Sequence, residues 1–132
     1  IFAQVRALGL ADEVLFPGYV PAHELPNWYQ AAMGFVYPSR LEGFGLPVLK
    51  AMACGAAVIT SRAPSLVEVA GDAAICVEAQ DEVALADAMT LLVAQDALRA
   101  ELRRRGLARA SNYSWQRTAA QTLAVYEHVG HT

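Results

Sequence analysis

The residues best suited to chemistry lie between positions 38 and 61, in the stretch PSRLEGFGLPVLKAMACGAAVITS. There the carboxylate of Glu42 precedes a glycine loop in which Gly43 and Gly45 flank Phe44. Glycine allows positive φ angles and lets a ligand approach the backbone without meeting a Cβ atom. Where such a loop leads into a helix, free N–H groups and the partly positive helix end favour an anion. The residue types and their spacing therefore indicate an anion-binding loop beside an acidic side chain.

Two strands and one helix must position this loop. Residues 34–37 form a short apolar run typical of a buried strand, and a second run starts at residues 57–59. Between them, Pro47 suits the first turn of a helix and Gly55 suits its C-terminus. The predicted apolar face of the helix consists of Val48, Leu49, Met52 and Ala53. A strand, a loop, a helix and a strand in this order place the loop at the carboxyl end of a parallel sheet, where α/β proteins bind ligands.

A tight turn that binds nothing is the alternative interpretation, and the glycine spacing alone does not decide against it. Glu42 favours a binding function, because a simple turn has no need of a carboxylate before two glycines. The carboxylate also has a purely structural interpretation, since an exposed acidic residue near a helix N-terminus is favoured by the helix dipole.

The phrase EGFGLPVLKAMACGAAVITS resembles the donor-binding signature of the retaining family-4 glycosyltransferases, which have the GT-B fold. In that family two glutamates, separated by seven residues, flank GFGLPVL; here the first is Glu42, whereas the second position holds Lys50. The phrases VLFPGYVPAHELPNWYQAA and YSWQRTAAQTLAVYEHV extend the resemblance over nearly the whole chain. It implies an α/β fold, with a Rossmann-like parallel sheet flanked by helices, and a partial C-terminal domain over residues 1–132.

The resemblance implies the donor-binding domain of an enzyme that transfers a sugar from a nucleotide-diphosphate sugar to an acceptor, with retention of configuration. Glu42 would bind hydroxyls of the donor sugar, which makes it the catalytic candidate. Backbone N–H groups around Phe44 to Leu46 would stabilise the leaving phosphate without a metal or another cofactor. The expected donor-binding set is Gly18, Tyr19, Val20, Ser39, Arg40, Glu42, Gly43, Phe44, Gly45, Leu46 and Lys50.

Four members of this set, the three residues Gly18 to Val20 and Arg40, depend on parts of the family pattern that are incomplete here. Gly18 to Val20 follow a predicted strand at residues 14–16, and the matching loop of the family lies against the nucleotide base; a plain strand-to-helix connection is the alternative. The family also places a basic pair against the diphosphate, at positions that would precede Ile1. Arg40 is near enough in sequence to help.

The sequence allows two hypotheses about the role of Lys50. The glutamate of the family accepts hydrogen bonds from the ribose hydroxyls, whereas a protonated lysine can only donate. We expect position 50 to lie in the first turn of the helix, where a cation is disfavoured by about 0.3–1 kcal/mol. Lys50 either extends idly into water, or turns toward the diphosphate and adds positive charge there.

The composition indicates one cytoplasmic domain of 132 residues with a net charge of −3, which gives no general attraction to nucleic acid. Hydrophobic residues make up 55% of the chain, which favours a parallel sheet buried on both faces. Cys54 and Cys76 lie among small apolar residues, so we expect reduced thiols. The later helices carry Arg99, Arg103, Arg104, Arg105, Arg109 and Arg117. We interpret these arginines as a solvated face; the alternative is a peripheral contact with the inner membrane face.

Three polar residues are predicted to cap these later helices: Asp81, Asp96 and Ser114. The last helix would bury Trp115, Leu123 and Tyr126.

We expect the chain to be part of a longer protein, because it begins with Ile1 in mid-helix. The acceptor domain of the family, which would bind a glycan, a lipid or a small molecule, would precede Ile1, so catalysis by these residues alone is not expected. The family orders its parallel strands 3-2-1-4-5-6, and residues 14–16 would be the third. Two strands beside it would then also precede Ile1, and the unpaired edges predict homo-oligomers or strand exchange.

Two other functions remain open. A non-enzymatic nucleotide-binding or interaction module is favoured by Lys50 and by the absent acceptor domain. A nucleotide-sugar epimerase on the same fold is disfavoured by the phrase GFGLPVLKAMACG.

Overall fold

The computed structural model describes residues 1–130, which form seven helices and three strands. In chain order they are α1 (Phe2–Ala7), α2 (Leu25–Ala31), β1 (Phe35–Tyr37), α3 (Leu46–Ala53), β2 (Val58–Ser61), α4 (Pro64–Ala70), β3 (Ala74–Val77), α5 (Glu82–Ala94), α6 (Asp96–Ala110) and α7 (Trp115–Gly130). From β1 to α5 strands and helices alternate, which is the chain order of a parallel α/β sheet.

The three strands form one parallel sheet in the order β1-β2-β3. In its register Val58 of the central strand lies between Phe35 of β1 and Ala74 of β3. Every residue of β2 is buried. The predicted α/β fold, a parallel sheet flanked by helices, is therefore confirmed.

Helices cover both faces of the sheet. Successive side chains of β2 point to opposite faces, so neighbouring residues of this strand pack against different helices. Val58 packs in a cluster with Met52 of α3 and Leu66 of α4. Ile59 packs in a second cluster with Leu92 of α5. The core is therefore centred on β2. Burial of each such side chain contributes roughly 1.5–3 kcal/mol.

The apolar face predicted for α3 is right at two positions and wrong at one. Val48 and Met52 are fully buried, and Leu49 is half-buried. Ala53 is exposed, and Ala51 is buried in its place. Ala51 rather than Ala53 therefore faces the core.

The strand predicted at residues 14–16 is wrong. This segment follows a turn, in which the N–H of Val14 donates to the carbonyl oxygen of Leu10 at 3.1 Å, and continues as irregular chain. Leu15 is 77% exposed, and the ring of Phe16 packs on Phe2 with 4.4 Å between centroids. A strand needs a hydrogen-bonded neighbour, and within residues 1–130 none lies beside this segment.

The start of α7 is predicted correctly and its packing is not. Ser114 Oγ accepts the N–H of Arg117 at 3.1 Å, which confirms the cap. Trp115, Leu123 and Tyr126 are exposed, contrary to the prediction, and no residue of α7 is buried. Within the described chain this helix lies beyond the layers that cover the sheet.

The other two predicted caps have opposite outcomes. Asp81 Oδ1 accepts the N–H of Ala84 at 2.9 Å, which confirms it as the cap of α5. Asp96 is instead the first residue of α6, where its carboxylate pairs with Arg99 one turn later, and Gln95 takes the cap position.

No helix within residues 1–130 has the length and apolar character of a membrane span. The outer edge of β1 has no strand partner in the same part of the chain. Self-association through that edge stays a prediction.

Candidate functional site

The predicted anion-binding loop lies where expected, at the carboxyl end of the sheet. It leaves β1 after Tyr37 and enters α3 at Leu46. Two buried hydroxyls of β2 hold the end of β1 and the start of the loop: Thr60 Oγ1 donates to the carbonyl oxygen of Tyr37 at 3.0 Å, and Ser61 Oγ donates to that of Ser39. Because buried hydroxyls must find partners, the pairing of β1 with β2 fixes where the loop begins.

The side chain of Glu42 is held by the strand that precedes it. The hydroxyl of Tyr37 donates to Glu42 Oε1 at 2.6 Å, while Ser65 Oγ donates to the backbone carbonyl of Glu42 at 2.8 Å. The Tyr37 hydrogen bond, followed by the Ser39 hydroxyl, lowers the pKa of Glu42 below its usual value. The same bond raises the pKa of Tyr37, because it favours the protonated phenol. The arrangement therefore holds an ionised carboxylate in one orientation.

Gly45 occupies a position that no other residue can take without strain. Its φ is +98°, and it caps the N-terminus of α3, where its carbonyl oxygen accepts the N–H of Leu49 at 3.2 Å. A Cβ atom at Gly45 would lie 2.5 Å from Leu66 Cδ2. Both the backbone angle and the packing against α4 therefore require glycine.

The N-terminus of α3 has no side-chain cap. In this respect it differs from α5, where the side chain of Asp81 accepts the N–H of Ala84. The first N–H groups of a helix have no partner within the helix, so those of α3 remain available to an anion.

Phe44 packs against the end of α6 rather than into the sheet. Its ring lies edge-on to Tyr113, with 6.0 Å between centroids, and the guanidinium of Arg109 lies 5.6 Å from the Tyr113 centroid. Arg109 Nε also donates to the carbonyl oxygen of Val69 at 3.0 Å. These contacts fix the loop from the side of α6.

Lys50 lies in the last turn of α3, not in the first as predicted, because the helix runs only from Leu46 to Ala53. A cation in the last turn is favoured by the helix dipole, so the predicted penalty is also wrong. The side chain is exposed and lines a cleft of about 430 Å³ between α3 and the start of α7. Phe44, Tyr113 and Trp115 line the same cleft, which makes its walls largely apolar.

The other predicted residues fall into two groups. Gly43 and Leu46 lie in the loop and its helix start, and Arg40 is exposed two residues before Glu42. Gly18, Tyr19 and Val20 form part of the irregular segment after residue 16, where Tyr19 is 88% exposed. Within residues 1–130 no hydrogen bond or ring contact joins those three residues to the loop.

Sequence reasoning missed the hydroxyls that hold the site: Tyr37, Thr60, Ser61 and Ser65. A usable signal was present, since Thr60 and Ser61 end a buried strand and would otherwise be out of place there. The carboxyl ends of neighbouring parallel strands meet at one edge, so polar residues at these ends are candidates for mutual contacts.

Comparison with known proteins decides the family. The profile described as "Glycosyl transferases group 1" matches residues 1–109. The chain belongs to this family.

Three known proteins illustrate the relationship. This group 1 glycosyltransferase chain is 42% identical to O-antigen chain mannosyltransferase B of Escherichia coli over 114 residues, which cover 86% of this chain and 30% of that protein. It matches the structure of sucrose-phosphate synthase from Thermosynechococcus elongatus with a TM-score of 0.90 and 32% identity, over 98% of this chain and 33% of that one. It matches the C-terminal domain of a glycosyl transferase group 1 family protein from Francisella tularensis with a TM-score of 0.75 and 32% identity, over 84% and 58% of the two chains.

These findings confirm the predicted relationship to GT-B glycosyltransferases. The group 1 chain spans about 30% of the length of the curated mannosyltransferase that it matches.

Replacing Gly45 by alanine should destabilise the group 1 domain by about 2–4 kcal/mol, because a positive φ and an overpacked contact with Leu66 each cost about 1–2 kcal/mol. The matched control is Gly43→Ala, since a Cβ atom there meets nothing within 4 Å and its φ is not positive. Denaturant unfolding of the full-length protein measures both variants. Equal stability of the two variants would show that Gly45 is not constrained.

Replacing Tyr37 by phenylalanine should raise the pKa of Glu42 toward its usual value, because the main hydrogen bond to the carboxylate is lost. A carboxyl group whose pKa is lowered by folding stabilises the folded protein at pH values above its pKa in the unfolded chain. This contribution is lost as the pH falls through its pKa in the folded protein. The variant should therefore lose part of its sensitivity to acid. Carboxyl NMR titration measures the pKa of Glu42, with Ser65→Ala as the control that touches only its backbone. An unchanged titration in Tyr37→Phe would contradict this account.

Proposed function

We propose that this chain is the C-terminal, donor-binding domain of a retaining glycosyltransferase that uses a nucleotide-diphosphate sugar. The observation that carries the proposal is the pairing of an ionised Glu42, oriented by Tyr37, with an uncapped helix start only a few residues later. Family membership supports sugar transfer in general. The arrangement of the loop supports the donor as the substrate held by this domain.

Glu42 acts as the sugar-binding carboxylate. Its Oε1 accepts a hydrogen bond from the Tyr37 hydroxyl, and the Ser39 hydroxyl also favours the charged form. An ionised carboxylate accepts hydrogen bonds on both oxygens, so Oε2 can receive the hydroxyls of a sugar ring. Hydrogen bonds to a charged group contribute about 1.5–3 kcal/mol each, enough to orient the ring for transfer.

The start of α3 binds the diphosphate. Negative charge grows on the leaving phosphate as the glycosidic bond to the donor breaks, and N–H groups aimed at it lower the barrier. Gly45 takes the positive φ that lets the loop turn into α3, and the helix end is partly positive. The leaving group is stabilised in this way by backbone groups rather than by a metal ion.

The acceptor and the rest of the active site belong to a part of the enzyme outside these residues. The named relatives do not share one product class, being called a mannosyltransferase and a sucrose-phosphate synthase. We therefore assign no particular sugar or acceptor. A cytoplasmic location is part of the proposal, in keeping with two cysteines that are unpaired in the structure.

The full-length protein should bind nucleoside diphosphates without Mg²⁺, and at least tenfold more tightly than the matching nucleosides. Each charge-assisted hydrogen bond at the start of α3 adds about 1.5–3 kcal/mol to diphosphate binding. Calorimetry with GDP, UDP and ADP, with and without a chelator, provides the measurement. Equal affinity for nucleoside and diphosphate would exclude a phosphate site in this loop. Tight binding with no turnover of any nucleotide sugar would favour the non-enzymatic module instead.

Replacing Lys50 by glutamate distinguishes the two hypotheses about this residue. If Lys50 is idle, the new carboxylate should improve nucleoside diphosphate binding, because it can accept hydrogen bonds from the ribose. If Lys50 binds phosphate, affinity should fall, and the loss should shrink as salt is raised. We expect the improvement, since the lysine lies in the last turn of α3 beside apolar walls.

The control for this substitution is Arg104→Glu, which makes the same change of charge on an exposed face of α6. Calorimetry at low and at high salt measures both variants. A salt-sensitive loss confined to Lys50→Glu would overturn the idle hypothesis.

A further inference from the structure

A second group of charged residues lies at the same edge of the sheet as Glu42. Arg40, Arg62, Glu78 and Gln80 line a cavity of about 380 Å³. Arg40 precedes Glu42 by two residues, Arg62 directly follows β2, and Glu78 directly follows β3. The strand order therefore places this cavity on the β2–β3 side of Glu42.

The backbone of Arg62 is fixed although its side chain is solvated. Its N–H donates to the carbonyl oxygen of Val77 at 3.0 Å, which continues the β2–β3 ladder by one residue. Its Nε lies 3.5 Å from Glu78 Oε1, and the two side chains are 58% and 71% exposed. An exposed pair at this distance is weak, so the guanidinium can exchange Glu78 for another anion.

Arg40 is the second cation of the cavity. Among residues 1–130 it has no hydrogen bond and no ion pair. With Arg62 positive and Glu78 negative, the three charged side chains leave the cavity with an excess of one positive charge. Two arginines at one cavity repel each other, so an anion bound between them would relieve that repulsion.

We propose that Arg40 and Arg62 form an anion-binding pair that takes a phosphate or carboxylate group of a substrate. Arginine presents a planar fork of donors that matches both groups. The inference rests on the proposed function, because Arg40, which lines the cavity, precedes by two residues the carboxylate proposed to bind the sugar. Glu78 competes with the substrate anion for Arg62 and thereby sets the strength of the site.

Two sources can supply this anion: the diphosphate of the donor, and an anionic group on the acceptor. The alternative is that the two arginines are solvated and bind no ligand. The experiment uses the full-length protein, with inorganic phosphate as the probe for the pair and GDP or UDP as the probe for the donor site. Line broadening in phosphorus NMR measures phosphate binding, and calorimetry measures diphosphate binding.

Arg62→Gln and Arg40→Gln should each weaken phosphate binding by about tenfold, since each removes a charge-assisted hydrogen bond. Glu78→Gln should strengthen it severalfold, a gain that a purely structural role for Glu78 would not produce. Arg104→Gln is the matched control, because that arginine is exposed and bound to Glu101 on α6. It should leave phosphate binding unchanged.

A titration with inorganic phosphate in the presence of a saturating diphosphate distinguishes the two sources of the anion. Competition between phosphate and diphosphate assigns the pair to the donor, and simultaneous binding assigns it to an anionic acceptor. Either result supports the pair, provided that the arginine variants weaken phosphate binding. Unchanged phosphate binding in a folded Arg40→Gln, Arg62→Gln double variant, or no phosphate binding by the wild type, would overturn the inference. The proposed function fails separately, if the wild type binds no nucleoside diphosphate.

Discussion

The pairing of β1 with β2 is the constraint on which the candidate site depends. A parallel pair brings the carboxyl ends of its strands together, so hydroxyls at the end of β2 can reach carbonyl oxygens at the end of β1. Thr60 and Ser61 are fully buried and would be destabilising there without those partners. The same bonds that satisfy the core therefore determine where the loop with Glu42 leaves the sheet.

The sequence predicted this part of the fold because its signals are local. Gly45, Pro47 and Gly55 mark a loop, a helix start and a helix end within eleven residues of one another. The prediction failed where the outcome depends on distant partners. Residues 14–16 have the composition of a strand but no neighbour to pair with in the described chain, and α7 has an apolar face with nothing described beneath it.

The sequence predicted where the backbone of the candidate site lies, but not how its side chains are oriented. Glycine spacing was enough to place the loop and the helix start, since both follow from backbone conformation. The bond between Tyr37 and Glu42 depends on how the loop folds back over β1, and no periodicity reports that. Lys50 was assigned to the wrong turn because α3 has only 8 residues and ends at Ala53; its interaction with the helix dipole is therefore favourable rather than unfavourable.

In the proposed function an ionised Glu42 would lie close to a diphosphate, and two negative groups at short range repel each other. Three features of the structure act against that repulsion. The Tyr37 hydroxyl spreads the charge of the carboxylate and fixes its direction, the start of α3 offers uncapped N–H groups, and Arg40 adds a cation two residues away. The carboxylate could then remain charged, as a hydrogen-bond acceptor for a sugar requires, while separate groups would bind the phosphate. Under the proposed function, separate partners for the two negative groups, all attached to one short loop, would let a single domain hold the sugar and the diphosphate of the donor together.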